Sequence, residues 1–303
     1  MNTGRVIATS AKGVWVQLRQ EDVLFYRFTG TQFKGDVYPC ALGDLVKIDP
    51  EKKIVLEVKP RSNILIRVRK EKSPQPLLSH VSLVCVMVCI QKSTFPTQFV
   101  DRLLIGIQQQ GVPVEIIVTK KDMLSQKQES WILRYADYMS EYAKARVHVI
   151  NARDSADADL FMQMLKPVED KPVIGFVGFS GVGKTTFIQQ LIGTKLATSP
   201  VNQKTGKGRH STTQPQMYAK GDLWLADFPG IKTWYPSLDR VIQYFPELIS
   251  LAGTLKCDMM GCDHVEARNP GCLLARLWKF SPSDGAREFA KLRYQSYESI
   301  LSD

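Results

Sequence analysis

The chain has 303 residues, 44% of them hydrophobic, and a formal net charge of +10. This length gives two or three domains with packed cores and excludes a disordered or fibrous chain. No run nears the ~18 apolar residues of a membrane span, the opening segment lacks the basic start and apolar run expected of a secretory leader, and the surplus positive charge favours a polyanionic partner, although a merely basic enzyme has the same composition.

Residues 5–9, 14–19 and 23–28 are rich in β-branched and aromatic side chains, broken by Lys12-Gly13 and Gly30. Two more such stretches, 45–48 and 54–58, flank Asp49-Pro50-Glu51. Five short strands predict a small barrel of OB type, and an SH3-like barrel gives nearly the same pattern. The basic stretch 67–76, with two prolines, predicts an irregular linker at a domain boundary. From residue 81 the pattern changes. Apolar runs at 81–90, 114–118, 147–150 and 173–177 alternate with helical spacing at 99–110 and 131–143. Strands covered on both faces lose polar alternation, so this predicts a parallel α/β sheet. After Pro246 the chain becomes irregular and cysteine-rich, and 284–301 predicts a charged helical tail.

Gly178 to Thr185 fits G-x-x-x-x-G-K-[ST] in full, between a predicted strand and a predicted helix at 185–192. A glycine-rich turn that binds nothing has no need of the whole motif in that place. Its glycines let the backbone wrap a phosphate, and the loop N–H groups with the helix N-terminus face anionic oxygens. The candidate site is Gly178, Phe179, Ser180, Gly181, Val182, Gly183, Lys184, Thr185 and Thr186. Lys184 is expected to neutralise charge on the transferred phosphate, and Thr185 to ligate Mg²⁺.

Thr119-Lys120-Lys121-Asp122 follows the predicted strand 114–118, as N-K-x-D follows a strand in guanine-nucleotide proteins. The Asp122 carboxylate suits guanine N1–H and its amine, and the Lys120 stem would lie along the base. Thr119 keeps a hydroxyl where asparagine is usual and loses an amide donor. Asn151-Ala152 resembles the S-A pair whose backbone N–H meets guanine O6. Asp227-Phe228-Pro229-Gly230 fits D-x-x-G, with Asp227 expected on Mg²⁺ and the Gly230 N–H on the γ-phosphate. The basic loop 204–213 between them has the composition of a switch, with Thr212 or Thr213 as its Mg²⁺-sensing threonine; a plain surface loop has the same composition. Ile231 stands where many GTPases orient water with glutamine. His210 either takes that role or meets only a partner or solvent.

Cys257, Cys262, His264 and Cys272 are spaced C-x4-C-x-H-x7-C, the donors of one closed, structural Zn²⁺ site. Three buried cysteines and a surface histidine account less well for such close spacing. Cys40, Cys85 and Cys89 are scattered, and the whole pattern suits a reducing compartment, the cytoplasm by default.

The base-reading segment precedes the phosphate loop, the reverse of the usual GTPase order, which implies circular permutation. The fold class is therefore multi-domain α/β: an OB-type barrel over 1–66, a permuted P-loop GTPase domain over 67–238, and a zinc-binding α domain over 239–303. This order, with Lys204-Thr205-Gly206-Lys207-Gly208-Arg209-His210-Ser211-Thr212-Thr213 and the C/C/H/C segment, resembles the RsgA (YjeQ) family. Pro60-Arg61-Ser62-Asn63, Asp101-Arg102 and Arg293-Tyr294-x-x-Tyr297 also match its pattern. The resemblance covers essentially the whole chain. It implies GTP hydrolysis stimulated by the small ribosomal subunit during that subunit's late maturation. The alternative is a GTP-holding assembly factor that scarcely hydrolyses. Partners are expected to be the subunit and its rRNA, with no membrane and the chain a monomer. Candidate RNA contacts are Arg67, Arg69, Lys70, Lys72, Lys207, Arg209, Arg287, Lys291 and Arg293.

Overall fold

A computed structural model describes residues 2–18, 22–29, 39–70, 72–90, 94–165, 171–193, 214–252, 257, 259–265, 268–280 and 285–302. Strands β1 (Thr3–Ser10), β2 (Gly13–Gln17), β3 (Val23–Phe28), β4 (Leu45–Asp49) and β5 (Ile54–Val58) form the predicted barrel. Alternate residues Val6, Val14, Val16, Tyr26, Val46, Ile48 and Val55 fill it. β1 pairs with both β2 and β4, and β3 runs parallel to β5. That closed Greek-key order is OB-like and decides between the two barrel readings.

The stretch 67–76 is not an irregular linker. β6 (Ile64–Arg69) and β7 (Lys72–Ser79) pair as an antiparallel hairpin. Leu65 and Leu78 are fully buried and anchor it. Pro74 and Pro76 are tolerated because the sheet has only two strands and its register shifts twice, so the absent donors break no central ladder. The predicted boundary at residue 66 falls inside β6.

β8 (Leu83–Val88), β9 (Val114–Val118), β10 (Val147–Val149), β11 (Val173–Gly178), β12 (Gln216–Lys220) and β13 (Leu223–Asp227) lie in the order β10-β9-β8-β11-β13-β12. All ladders are parallel except β12–β13. The strand that leads into the phosphate loop, β11, is thus central in space though fourth in sequence. β8 explains the missing polar alternation. Val84, Val86 and Val88 meet α1 (Thr97–Gln108) and α2 (Gln126–Tyr142), while Leu83, Cys85 and Met87 face α3 (Ser155–Leu165) and α4 (Lys184–Ile192). A Ser125–Gln128 capping box starts α2. α3 escaped the sequence reading because its first turn is polar, yet Ala158, Phe161 and Leu165 bury one face.

The sheet does not stop at β12. Ala8 of β1 bridges Gln216 of β12, so barrel and parallel sheet are one eleven-stranded sheet. The Arg5 guanidinium lies 5.0 Å over the Trp224 ring across this seam.

At the other end, α5 (Glu247–Ser250), α6 (Leu273–Phe280) and α7 (Gly285–Leu301) pack on the α1 and α2 face. Arg293 of α7 is fully buried. Its Nη1 donates to Asp101, its Nε to Glu247 and its Nη2 to the Tyr244 carbonyl at 2.6 Å, with Phe245 beneath it at 4.6 Å. This corrects its assignment as an RNA contact: the charge holds helices together. Arg67 is also engaged, donating to the Thr233 carbonyl at 3.0 Å. Among the described residues no helix is long and apolar enough to cross a membrane.

Candidate nucleotide site and metal centre

The phosphate loop leaves β11 through residues that only glycine suits. Gly178, Gly181 and Gly183 have φ of 151°, 79° and 99°. Gly183 is the left-handed N-cap of α4, so the helix starts on the loop and its free N–H groups face the same space. Lys184 is buried, and its Nζ donates to the Phe179 carbonyl at 2.8 Å and the Gly178 carbonyl at 3.2 Å. Burial lowers its pKa while the Asp227 charge opposes that shift. The ammonium is therefore held under the loop, where an anion would offset the cost of its burial.

Asp227 ends β13 and is fully buried. The Thr185 hydroxyl donates to its Oδ2 at 2.6 Å, which brings two hard oxygen donors to one point. Such a pair fits Mg²⁺, which takes oxygen ligands. Beyond Asp227, the Ile231 N–H donates to the Gly178 carbonyl at 3.0 Å. Gly230 passes so close that an added Cβ would lie 2.7 Å from the Ser180 nitrogen. The two motifs thus touch through backbone. The Ile231 side chain is buried in the core, so it neither reaches nor orients solvent.

Thr119 has a role that composition alone did not reveal. It is fully buried, and its hydroxyl lies 2.7 Å from the Val182 carbonyl and 3.2 Å from that of Val88. The hydroxyl thus ties the Thr119–Asp122 segment to the phosphate loop, although the amide donor of an asparagine is absent. Lys120 is left-handed at φ 61°, the Lys121 N–H meets the Ile150 carbonyl at 3.1 Å, and Asp122 is exposed beyond them. Asp157 of α3, which the sequence reading missed, accepts from the Asn151 N–H at 2.7 Å and fixes that loop. An acid in the first turn of an unrecognised helix gave no separate signal. Ala152 is buried, and its Cβ would lie 3.3 Å from a Cβ on Gly183. The structure therefore gathers Thr119, Ala152, the phosphate loop, Asp227 and Gly230 around one point. His210, Thr212, Thr213, Lys207 and Arg209 lie outside the described residues.

Cys257, Cys262, His264 and Cys272 bring their ligand atoms within 4.8 Å of one another. The Cys272 and Cys257 sulfurs are 3.7 Å apart, and His264 Nδ1 is 3.5 Å from the Cys272 sulfur. Metal–sulfur bonds of about 2.3 Å in a tetrahedron give sulfur–sulfur edges of about 3.8 Å, so the set is compatible with Zn²⁺. Burial, and after it the neighbouring thiols, push Cys262 up to about 11, although the His264 N–H on its sulfur opposes this. Bringing thiolates together here calls for a cation. The cage is braced from outside: Tyr294 donates to the His264 carbonyl at 3.0 Å, and Tyr297 to that of Asp263. These are the two tyrosines of the motif around Arg293.

Comparison with known proteins agrees with this architecture. Residues 58–235 match the family model described as RsgA GTPase. The chain is 27% identical over 315 aligned positions to "Small ribosomal subunit biogenesis GTPase RsgA 2" of Bacteroides thetaiotaomicron, covering 96% of this chain and 94% of that one. It is 26% identical to "Small ribosomal subunit biogenesis GTPase RsgA" of Limosilactobacillus reuteri, over 98% of this chain and 95% of the relative. The fold resembles that of YjeQ from Thermotoga maritima, with a TM-score of 0.63 at 17% identity over 100% of this chain and 99% of that one. It also resembles YloQ, "a circularly permuted GTPase", with a TM-score of 0.59 at 20% identity over 100% and 96% of the two chains.

Proposed function

We propose that this chain, which belongs to the RsgA GTPase family, hydrolyses GTP to GDP and phosphate on the small ribosomal subunit during the late assembly of that subunit. The observation that carries this reading is the meeting of the phosphate loop with Thr119 on one side and with Asp227 and Gly230 on the other. In this reading Asp122 and Lys120 select guanine, and the Ala152 N–H meets its O6. The loop N–H groups and Lys184 hold the β- and γ-phosphates, with Phe179, Ser180, Val182 and Thr186 shaping the loop. Mg²⁺ would be held by Thr185, Asp227 and Thr213, and when bound it neutralises charge on the phosphate oxygens. Gly230 donates its N–H to the γ-phosphate and so senses its loss.

The buried Ile231 leaves the attacking water to another residue, and we assign that task to His210. The same burial keeps open a second reading, a GTP-holding assembly factor that scarcely turns over. Zn²⁺ held by Cys257, Cys262, His264 and Cys272 would be structural, since four protein donors leave no position for water. The net charge of +10 supports rRNA as the surface recognised, with exposed Lys70 and Arg287 among its contacts. A cytoplasmic monomer built of units 1–66, 67–238 and 239–303 completes the reading.

GTP and ATP turnover with and without purified small subunits tests it. The expected result is GTP turnover stimulated by subunits, with His210→Ala losing the stimulation while binding GTP normally. Equal use of ATP, or no response to subunits, overturns the leading reading. Full turnover in His210→Ala overturns the assignment of the histidine alone. Metal analysis is expected to return one zinc per chain, and a folded, metal-free protein would refute the zinc site.

A further inference from the structure

Two half-buried phenylalanines lie face to face at the rim of the phosphate loop. Phe179, the residue after Gly178, stacks on Phe99 in the first turn of α1, with ring centroids 3.7 Å apart and planes at 20°. α1 begins with no side-chain cap and no acid in its first turn, so the usual devices for fixing a helix start are missing. The stack is a contact that this start does make.

The same helix reaches two other parts of the molecule. Asp101 pairs with buried Arg293 of α7, and Arg102 Nη2 donates to the Ser299 carbonyl at 2.9 Å and its hydroxyl at 2.8 Å. Gly106 admits the Trp234 indole so closely that a Cβ there would lie 2.3 Å from Nε1. Gln109 exchanges two hydrogen bonds of 2.8 Å with Ser237. Trp234 and Ser237 belong to the segment that follows Gly230. α1 thus touches the phosphate loop at its start, the segment after Gly230 towards its end, and the C-terminal helix between.

We infer that Phe99 is a positioning residue for the phosphate loop, and that α1 carries the state of that loop to α7. The inference rests on the GTPase reading above. The loop works only while its N–H groups hold one arrangement, and Phe179 moves with that backbone. Close-packed interiors transmit displacement instead of absorbing it, so a shift of Phe179 acts through Phe99 on the whole helix and on Asp101 and Arg102. Coupling of this kind is reciprocal: what steadies α7 also steadies the loop.

The test uses the full chain as wild type, Phe99→Leu and Phe99→Tyr. Leucine keeps the apolar bulk and helix propensity, and tyrosine keeps the ring. Two quantities are read: affinity for fluorescent GDP, and amide hydrogen exchange in residues 285–301 with and without GDP. Phe99→Leu is expected to weaken GDP binding by about two- to twelvefold, the factor a stacked aromatic pair supplies, and Phe99→Tyr to restore it. GDP is expected to slow exchange in α7 of the wild type and Phe99→Tyr but not of Phe99→Leu. Taking the ratio with and without GDP inside each variant cancels any general loosening. Equal GDP affinity in wild type and Phe99→Leu overturns the inference, as does α7 exchange that ignores GDP in the wild type or responds equally in Phe99→Leu. A wild type that binds no GDP overturns the GTPase reading itself, and this inference with it.

Discussion

At its amino end the chain joins the nucleotide-binding sheet through backbone, and at its carboxyl end through side chains. The barrel extends the sheet by the Ala8–Gln216 bridge, with Arg5 over Trp224 as a partly exposed accessory. The C-terminal helices instead insert Arg293 between Asp101 and Glu247, all three fully buried, beside a cluster of Trp131, Tyr135 and Phe289 rings. Backbone pairing makes little demand on residue type. A buried guanidinium facing two carboxylates demands all three partners, because each charge is costly in a dry interior unless paired.

The contrast is open to direct attack, most severely at Arg293. Arg293→Met keeps much of the side-chain volume but leaves two buried carboxylates without their cation, and should cost about 3–5 kcal/mol in urea unfolding. Arg5→Met removes a cation–π contact and a hydrogen bond to the Gly43 carbonyl at the other junction, and should cost about 1 kcal/mol. Equal costs at the two positions would erase the distinction. The smallest effect concerns Asp101. Burial raises its pKa in the folded chain, and Arg293 only partly offsets this. The folded state therefore holds the proton over a pH range where the unfolded state has released it, from the unfolded value of about 3.9 upward. As pH rises through that window the wild type loses this contribution. Asp101→Asn, which cannot titrate, should gain stability relative to wild type over the same interval. A difference that stays flat with pH would show the cluster to be balanced by other charges.

The sequence made local features legible and left relational ones dark. The phosphate loop, D-x-x-G and the C/C/H/C set each lie within a short span, so spacing alone suggests their chemistry, and the structure gathers them. Apolar runs likewise located β8, β9, β10 and β11 within a residue or two of their ends. Arg293 was misread because a charged residue in a helical tail gives no sign of burial; its partners lie far away in the chain. The hairpin of β6 and β7 was hidden by prolines, which argue against central strands but not against a two-stranded edge. Thr119 looked like a loss from the family pattern, and only the fold shows its hydroxyl reaching the Val182 carbonyl. β12 was missed because only Gln216 and Met217 of its five residues are buried, and α6 because it lies in the cysteine-rich stretch that reads as irregular.

The shared sheet also has a consequence for anyone dissecting this chain. A cut at residue 66 would split β6 and also sever a continuous hydrogen-bonded surface. The released GTPase fragment would carry β12 as a bare edge, a ready template for any strand it meets. The barrel therefore shields that edge, and where the protein can be divided is set by pairing across the seam, not by order along the chain.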